Sequence, residues 1–185
     1  RAAMLRIRRI IENYGKPENT EIREELLQGL RHQMTLLGQF HNHYTRKEKL
    51  FFPIMERYGH DSPPKVMWGV DDEIRELFRV SQNAVNQLPQ ESIEKISEVF
   101  EAFALEFEEM IFKEEAILLM ILLETLTQDD WLSIAKESDA YGYAIIKPTA
   151  EWVPDRESFV ENVETEHSEI YSNTRVIDTP EGQFT

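Results

Sequence analysis

The sequence predicts an all-α fold: an antiparallel four-helix bundle, then a short fifth helix and an extended, mostly polar C-terminal tail. Three observations carry this reading. Apolar residues recur at intervals of three and four over four stretches, the period of a helix with one buried face. Only 7 Gly and 8 Pro punctuate 185 residues, too few for the many tight turns of a β fold. The main breakers fall between the apolar stretches, at Gly15-Lys16-Pro17, from Gly59 to Pro64, and at Pro89.

Each element follows in order. The first helix spans Ala2 to Tyr14, with Met4, Leu5, Ile7, Ile10 and Ile11 at helical spacing. The second starts near Asn19-Thr20, both good caps, and runs to about Tyr58, with Pro53 expected to end or kink it. The third runs from about Pro64 to Leu88 on Met67, Val70, Ile74, Leu77, Phe78 and Val85. The fourth runs from about Glu91 to Leu126 on Ile96, Phe100, Phe103, Phe107, Met110 and Leu118. Thr127-Gln128-Asp129-Asp130 has the form of a capping box with Asp in place of the usual Glu, so a short fifth helix carries Trp131, Leu132 and Ile134 to near Gly142. Residues 1–147 therefore form the bundle. Residues 148–185 form a linker or tail whose scattered Phe159, Val160, Ile170 and Tyr171 are too sparse for a core of their own.

Charge and composition exclude several function classes. The formal net charge is −15, from 35 acidic and 20 basic residues, which repels phosphate backbones and anionic membrane surfaces. With no cysteine there is no disulfide, thiolate metal site or Cys nucleophile, as suits a cytoplasmic protein. No run reaches the length of a membrane span; Ile117 to Leu123 is apolar but short. No signal peptide is expected from this sequence. Arg1 without an initiating Met and the abrupt end at Thr185 fit a piece of a longer chain.

The core faces carry unexpected polar residues. In the second helix Leu27, Leu30, Met34, Leu37, His41, Tyr44, Glu48 and Phe51 form an inward stripe. His43 falls roughly opposite, with Leu36 and Leu50. In the third helix Asp71 sits between Met67, Ile74 and Phe78. In the fourth, Glu114 follows Phe103, Phe107 and Met110, and Glu115 lies on the flank. A lone buried carboxylate is costly, so several aimed at one axis suggest a shared cation. Histidine with carboxylates suits iron, manganese or zinc. The plainer account is that these acids are neutralised by Arg46, Lys47 and Lys113, close by in sequence, and that His41 is a hydrogen-bonded core residue.

Two stretches resemble each other: Arg46-Lys47-Glu48-Lys49-Leu50-Phe51-Phe52-Pro53 aligns with Lys113-Glu114-Glu115-Ala116-Ile117-Leu118-Leu119-Met120. This echo resembles the hemerythrin-like HHE cation-binding domain, whose helices carry H-x-x-x-E followed by an L-F-P-type run. The wording at 43–48, 63–75, 113–119, 123–131 and 148–154 is similar to a prokaryotic branch of unknown function that joins such a bundle to a PAS sensor domain. The resemblance implies a four-helix bundle with a non-haem di-iron centre that binds or senses O2, NO or iron. Carried over residue by residue, it implies metal ligands at His43, Glu48, Asp71, Glu114 and Glu115, while periodicity offers His41 beside His43. The chain departs from the pattern at three positions: Lys47 stands where the motif carboxylate would be, Met110 where a histidine would be, and Asp71 where many relatives have histidine. A first-helix histidine would lie before Arg1.

Two functions follow as expectations. One is a metal-binding sensor module, with iron (zinc or manganese as alternatives), a diatomic gas, a PAS-like or other signalling domain and a homodimer as expected companions. The other is a metal-free relay or interaction module whose acids are neutralised within the chain. An enzyme is the least favoured, since no nucleophile, Ser/His/Asp order or glycine-rich phosphate loop stands out.

Overall fold

The computed structural model describes residues 1–154, and those up to Glu151 belong to one compact unit. The described residues are helical, with no strand among them. The tail residues expected to form a linker, including Phe159, Val160, His167, Ile170 and Tyr171, lie outside the described residues.

Helix α1 is Ala2–Tyr14, as the spacing predicts. A 3₁₀ turn, Pro17–Ile22, follows, and α2 begins only at Arg23 and ends at Gly38. Asn19 and Thr20 therefore do not cap α2. Pro17 opens a turn of its own, and the two side chains bond locally, Asn19 to the Asn13 carbonyl at 2.9 Å and Thr20 to the Pro17 carbonyl at 2.7 Å.

The expected single helix to Tyr58 is instead α2, then α3 (Phe40–Arg46), a π-helical turn (Lys47–Phe51) and α4 (Phe52–Arg57). Pro53 does not end the run. It falls in the first turn of α4, where a missing N–H costs little, and the wider π turn lies directly before it. At the α2 end Gly38 allows a close approach: a Cβ there would lie 3.2 Å from the Phe78 ring.

Helix α5 is Ser62–Asn86. Helix α6, Ile93–Lys113, starts on a Ser92 side chain that accepts from the Lys95 N–H at 3.1 Å. The expected fourth helix is broken in the same way as the second, with a π turn at Glu114–Leu118 before α7 (Leu119–Thr125). Helix α8, Gln128–Tyr141, opens with the expected capping box between Thr127 and Asp130.

Helix α1 packs on α2 and α6, and α5 packs on α6 and α2. Arg8 ties α1 to α6 through Glu101 at 2.8 Å and Glu108 at 3.1 Å. The centre is aromatic. Phe40, Phe78, Phe103 and Phe107 meet ring to ring, with several centroids 5.2 Å apart, and Leu30, Met34 and Ile74 are fully buried nearby in the same core. Tyr44 caps this cluster from α3, 5.0 Å from Phe40, and the polar residues gather beyond it.

Candidate functional site

The two π turns start at Lys47 and Glu114, the positions that the internal sequence echo aligns. In the first, the Phe52 N–H reaches back five residues to the Lys47 carbonyl; in the second, the Leu119 N–H does the same to Glu114. An α-helix turns consecutive side chains about 100° apart, and the wider π turn separates them by less. In the first turn Lys47 and Glu48 are both buried, as is Leu50, which an ideal helix places outward with His43.

The Lys47 ammonium sits between two carboxylates from two other helices. It donates to Asp71 Oδ1 of α5 at 2.7 Å and to Glu114 Oε1 at the end of α6. Lys47 is 2% exposed and Asp71 0%. The other Glu114 oxygen, Oε2, lies 2.8 Å from His43 Nε2, and His43 is the cluster's opening to solvent, with its side chain 45% exposed. The Lys47 ammonium also lies 4.2 Å from the centroid of the Tyr44 ring. Glu48 is held separately. Arg75, one turn beyond Asp71 on α5, grips it with two N–H groups at 2.7 and 3.0 Å and reaches Asp72 at 2.9 Å.

Burial and charge act in opposite directions on the two carboxylates that Lys47 joins. Burial pushes the Asp71 carboxyl up to about 7, against the pull of the Lys47 charge and hydrogen bond. Burial acts on Glu114 too, but there the His43 hydrogen bond and the Lys47 charge win and hold it below the usual carboxylate range. The two differ in how well they are satisfied. Both Glu114 oxygens have partners, whereas Asp71 Oδ2 is buried with none among the described residues. The Tyr44 hydroxyl is likewise buried and unpartnered, and burial, with the Glu114 and Asp71 charges, raises its pKa.

Of the residues singled out from the sequence, His43, Asp71 and Glu114 come together, and Glu48 lies beside them in its own ion pair. His41 stands apart, half-buried, its ring 4.4 Å from Phe40 and 5.9 Å from Phe78. Glu115 points out to Arg1 at 2.8 Å, with its side chain 63% exposed. Among the expected neutralising cations, Lys47 is in place, but Arg46 lies over the Tyr143 ring and Lys113 pairs with Glu109 on the surface. Arg75 was missed. Its signal was its place four residues after Asp71 on α5, which puts it on the same side of the helix.

Helices packed around a buried cluster of charged side chains define a helical-bundle protein. The chain belongs to the hemerythrin HHE cation-binding domain family, whose model matches residues 1–122. That match ends within α7 and leaves α8 and the residues after it outside. No curated protein matches the chain.

The residues present do not fit a di-iron centre. Asp71 Oδ1 and Glu114 Oε1 already hold the Lys47 ammonium, and both Glu48 oxygens are held by Arg75. Fully buried Met110 stands one helical turn before Glu114, where the motif has histidine. Among the described residues no group of three or more His, Asp or Glu is arranged to hold a metal ion.

Proposed function

We propose that this chain is a metal-independent relay module on a hemerythrin scaffold, in which the Lys47 ammonium stands where relatives place a metal cation. One observation carries it: a lysine at 2% exposure, bonded to carboxylates from two other helices. A buried charge persists only when paired, and here the pairing is complete on the cation's side. The cluster ties α3, α5 and the α6–α7 junction together much as a metal would, so its role is to fix how those helices sit and to pass on any change in that arrangement.

A second reading, an iron-binding sensor of O2, NO or iron coupled to a PAS-like module, draws support from the family's description and from the buried, unpartnered Asp71 Oδ2. Metal analysis with thermal melts separates the two. For the relay module, anaerobically purified protein carries no stoichiometric iron, zinc or manganese, and its Tm is unchanged by chelator or added metal. Stoichiometric metal in the wild-type protein would overturn the relay reading. In the same experiment Lys47→Glu places a carboxylate four residues after His43, restoring the H-x-x-x-E spacing beside Asp71 and Glu114. This variant is expected to gain a Tm rise of several degrees with added iron, manganese or zinc that the wild type lacks.

A further inference from the structure

The residues after α8 form a short strap, 142–147, that returns along the outer face of α3. Asn42 Nδ2 donates to the Tyr143 carbonyl at 3.1 Å, and the Ile145 N–H donates to Gln39 Oε1 at 2.7 Å. Arg46 lies over the Tyr143 ring, 4.6 Å from its centroid. The strap's other end is held by Lys147 on Asp139 at 3.4 Å.

Two backbone features shape the strap where it meets α3. Gly142 has φ +76, and a Cβ there would lie 3.2 Å from Asn42 Nδ2. Ile145 has φ 64, a left-handed conformation that is uncommon for a β-branched residue. Ile145 is the centre of a tight turn closed by the Ile146 N–H on the Ala144 carbonyl at 2.6 Å, and its own N–H is left to reach Gln39 Oε1.

The strap and the buried cluster hold the same short helix from two sides. Gln39, Asn42 and Arg46 are spaced three and four apart and take the strap. His43 and Lys47, also four apart, take the carboxylates. Lys47 is the first residue of the π turn and Arg46 the last of α3. A π turn is a rare geometry that occurs mostly as a single-turn bulge within an α-helix. If it reverts to α form with no change of length, the turn before it rotates by about 100°, enough to carry Asn42 and Arg46 off Tyr143.

We propose that residues 142–147 are a latch set by the Lys47 cluster: intact ion pairs keep the strap seated on α3, and their loss releases it. The latch lies outside the family match, which ends at residue 122. It rests on the relay reading for its role, but its test does not depend on what occupies the cluster.

The test is hydrogen exchange read by mass spectrometry on the full chain, with chelator present. The variants are Lys47→Met, Asn42→Ala and, as a remote control, Arg79→Ala. Exchange in peptides covering 142–147 is expected to rise at least about tenfold in Lys47→Met and Asn42→Ala, the scale of losing one protecting contact, and to stay at wild-type level in Arg79→Ala. A strap that responds to Asn42→Ala but not to Lys47→Met overturns the coupling. A strap that responds to neither overturns the latch, and an equal rise in every peptide, which is global opening, also overturns it. If Lys47→Met does not fold, Lys47→Met combined with Asp71→Asn and Glu114→Gln, which removes the ion pairs without stranding a buried charge, is read the same way. Metal found in the wild-type sample would sink the relay reading and leave the exchange result to decide the latch.

Discussion

At the scale of single residues, the centre is a balance of one ammonium against two carboxylates that are satisfied to different degrees. Removing the cation leaves Asp71 and Glu114 buried and facing each other's field, so Lys47→Met is expected to destabilise the fold by about 3–5 kcal/mol in urea unfolding. Asp71→Asn together with Glu114→Gln should recover much of that loss, because the stranded charges go with them. Asp71 also sets a pH dependence. Its folded-state value is raised to about 7, above the unfolded 3.8. Its stabilising contribution is therefore complete below about 3.8 and is lost as pH rises through about 7. Glu114, held low, works in the opposite sense: its contribution is present above its unfolded value of 4.5 and disappears on acidification. In Asp71→Asn the loss of stability between about pH 4 and 7 should flatten, which denaturant midpoints across that range will show. At this scale the inward acids Glu48, Asp71 and Glu114 were legible from spacing alone. The choice of His43 over His41 was not, because the ideal stripe ran through Gly38-Gln39 and the π turn as though the helix were continuous.

At the scale of elements, the helices were legible because their periodicity is strong and their breakers are few. The π turns were hidden. Each keeps the apolar pattern on both sides and inserts one residue, so the sequence shows only two neighbouring polar residues on an otherwise apolar run: Lys47-Glu48 in one case, Glu114-Glu115 in the other. The same physics gives a direct test. Lys49 is exposed within the first π turn. Deleting it lets the run close as a regular α-helix without changing the phase of the flanking turns, so far-UV circular dichroism should keep its helical signal. Closing the turn changes the angle between Lys47 and Glu48, so the Asp71 or the Arg75 pairing is expected to break. The Tm is expected to fall by about 5–15 °C, the scale of losing one buried ion pair in a domain of this size. An unchanged Tm would show that the wide turn is not what buries both residues. The short caps followed the same logic of local competition: Asn19 and Thr20 read as caps, but Pro17 drew them into a turn of its own, while the Thr127–Asp130 box formed as the sequence suggested.

At the scale of the whole molecule, a chain with formal charge −15 carries its own repulsion. Its surface ion pairs, such as Arg8 with Glu101 and Glu108, relieve only part of it. Raising the salt concentration from about 10 to 300 mM shrinks the screening length several-fold, so the Tm is expected to rise with salt. The buried pairs around Lys47 are screened little, so Lys47→Met should show the same salt slope as the wild type from a lower starting point. Its resident cation also differs in kind from a bound ion. An ammonium carried on the chain has no dissociation constant: it is present once per molecule at any dilution, under any supply of metal, from the moment the helix folds. A centre built this way has no loading step and no empty form for a cell to fill or strip. Having a single oxidation state, the ammonium supplies position and charge to the centre but cannot exchange electrons.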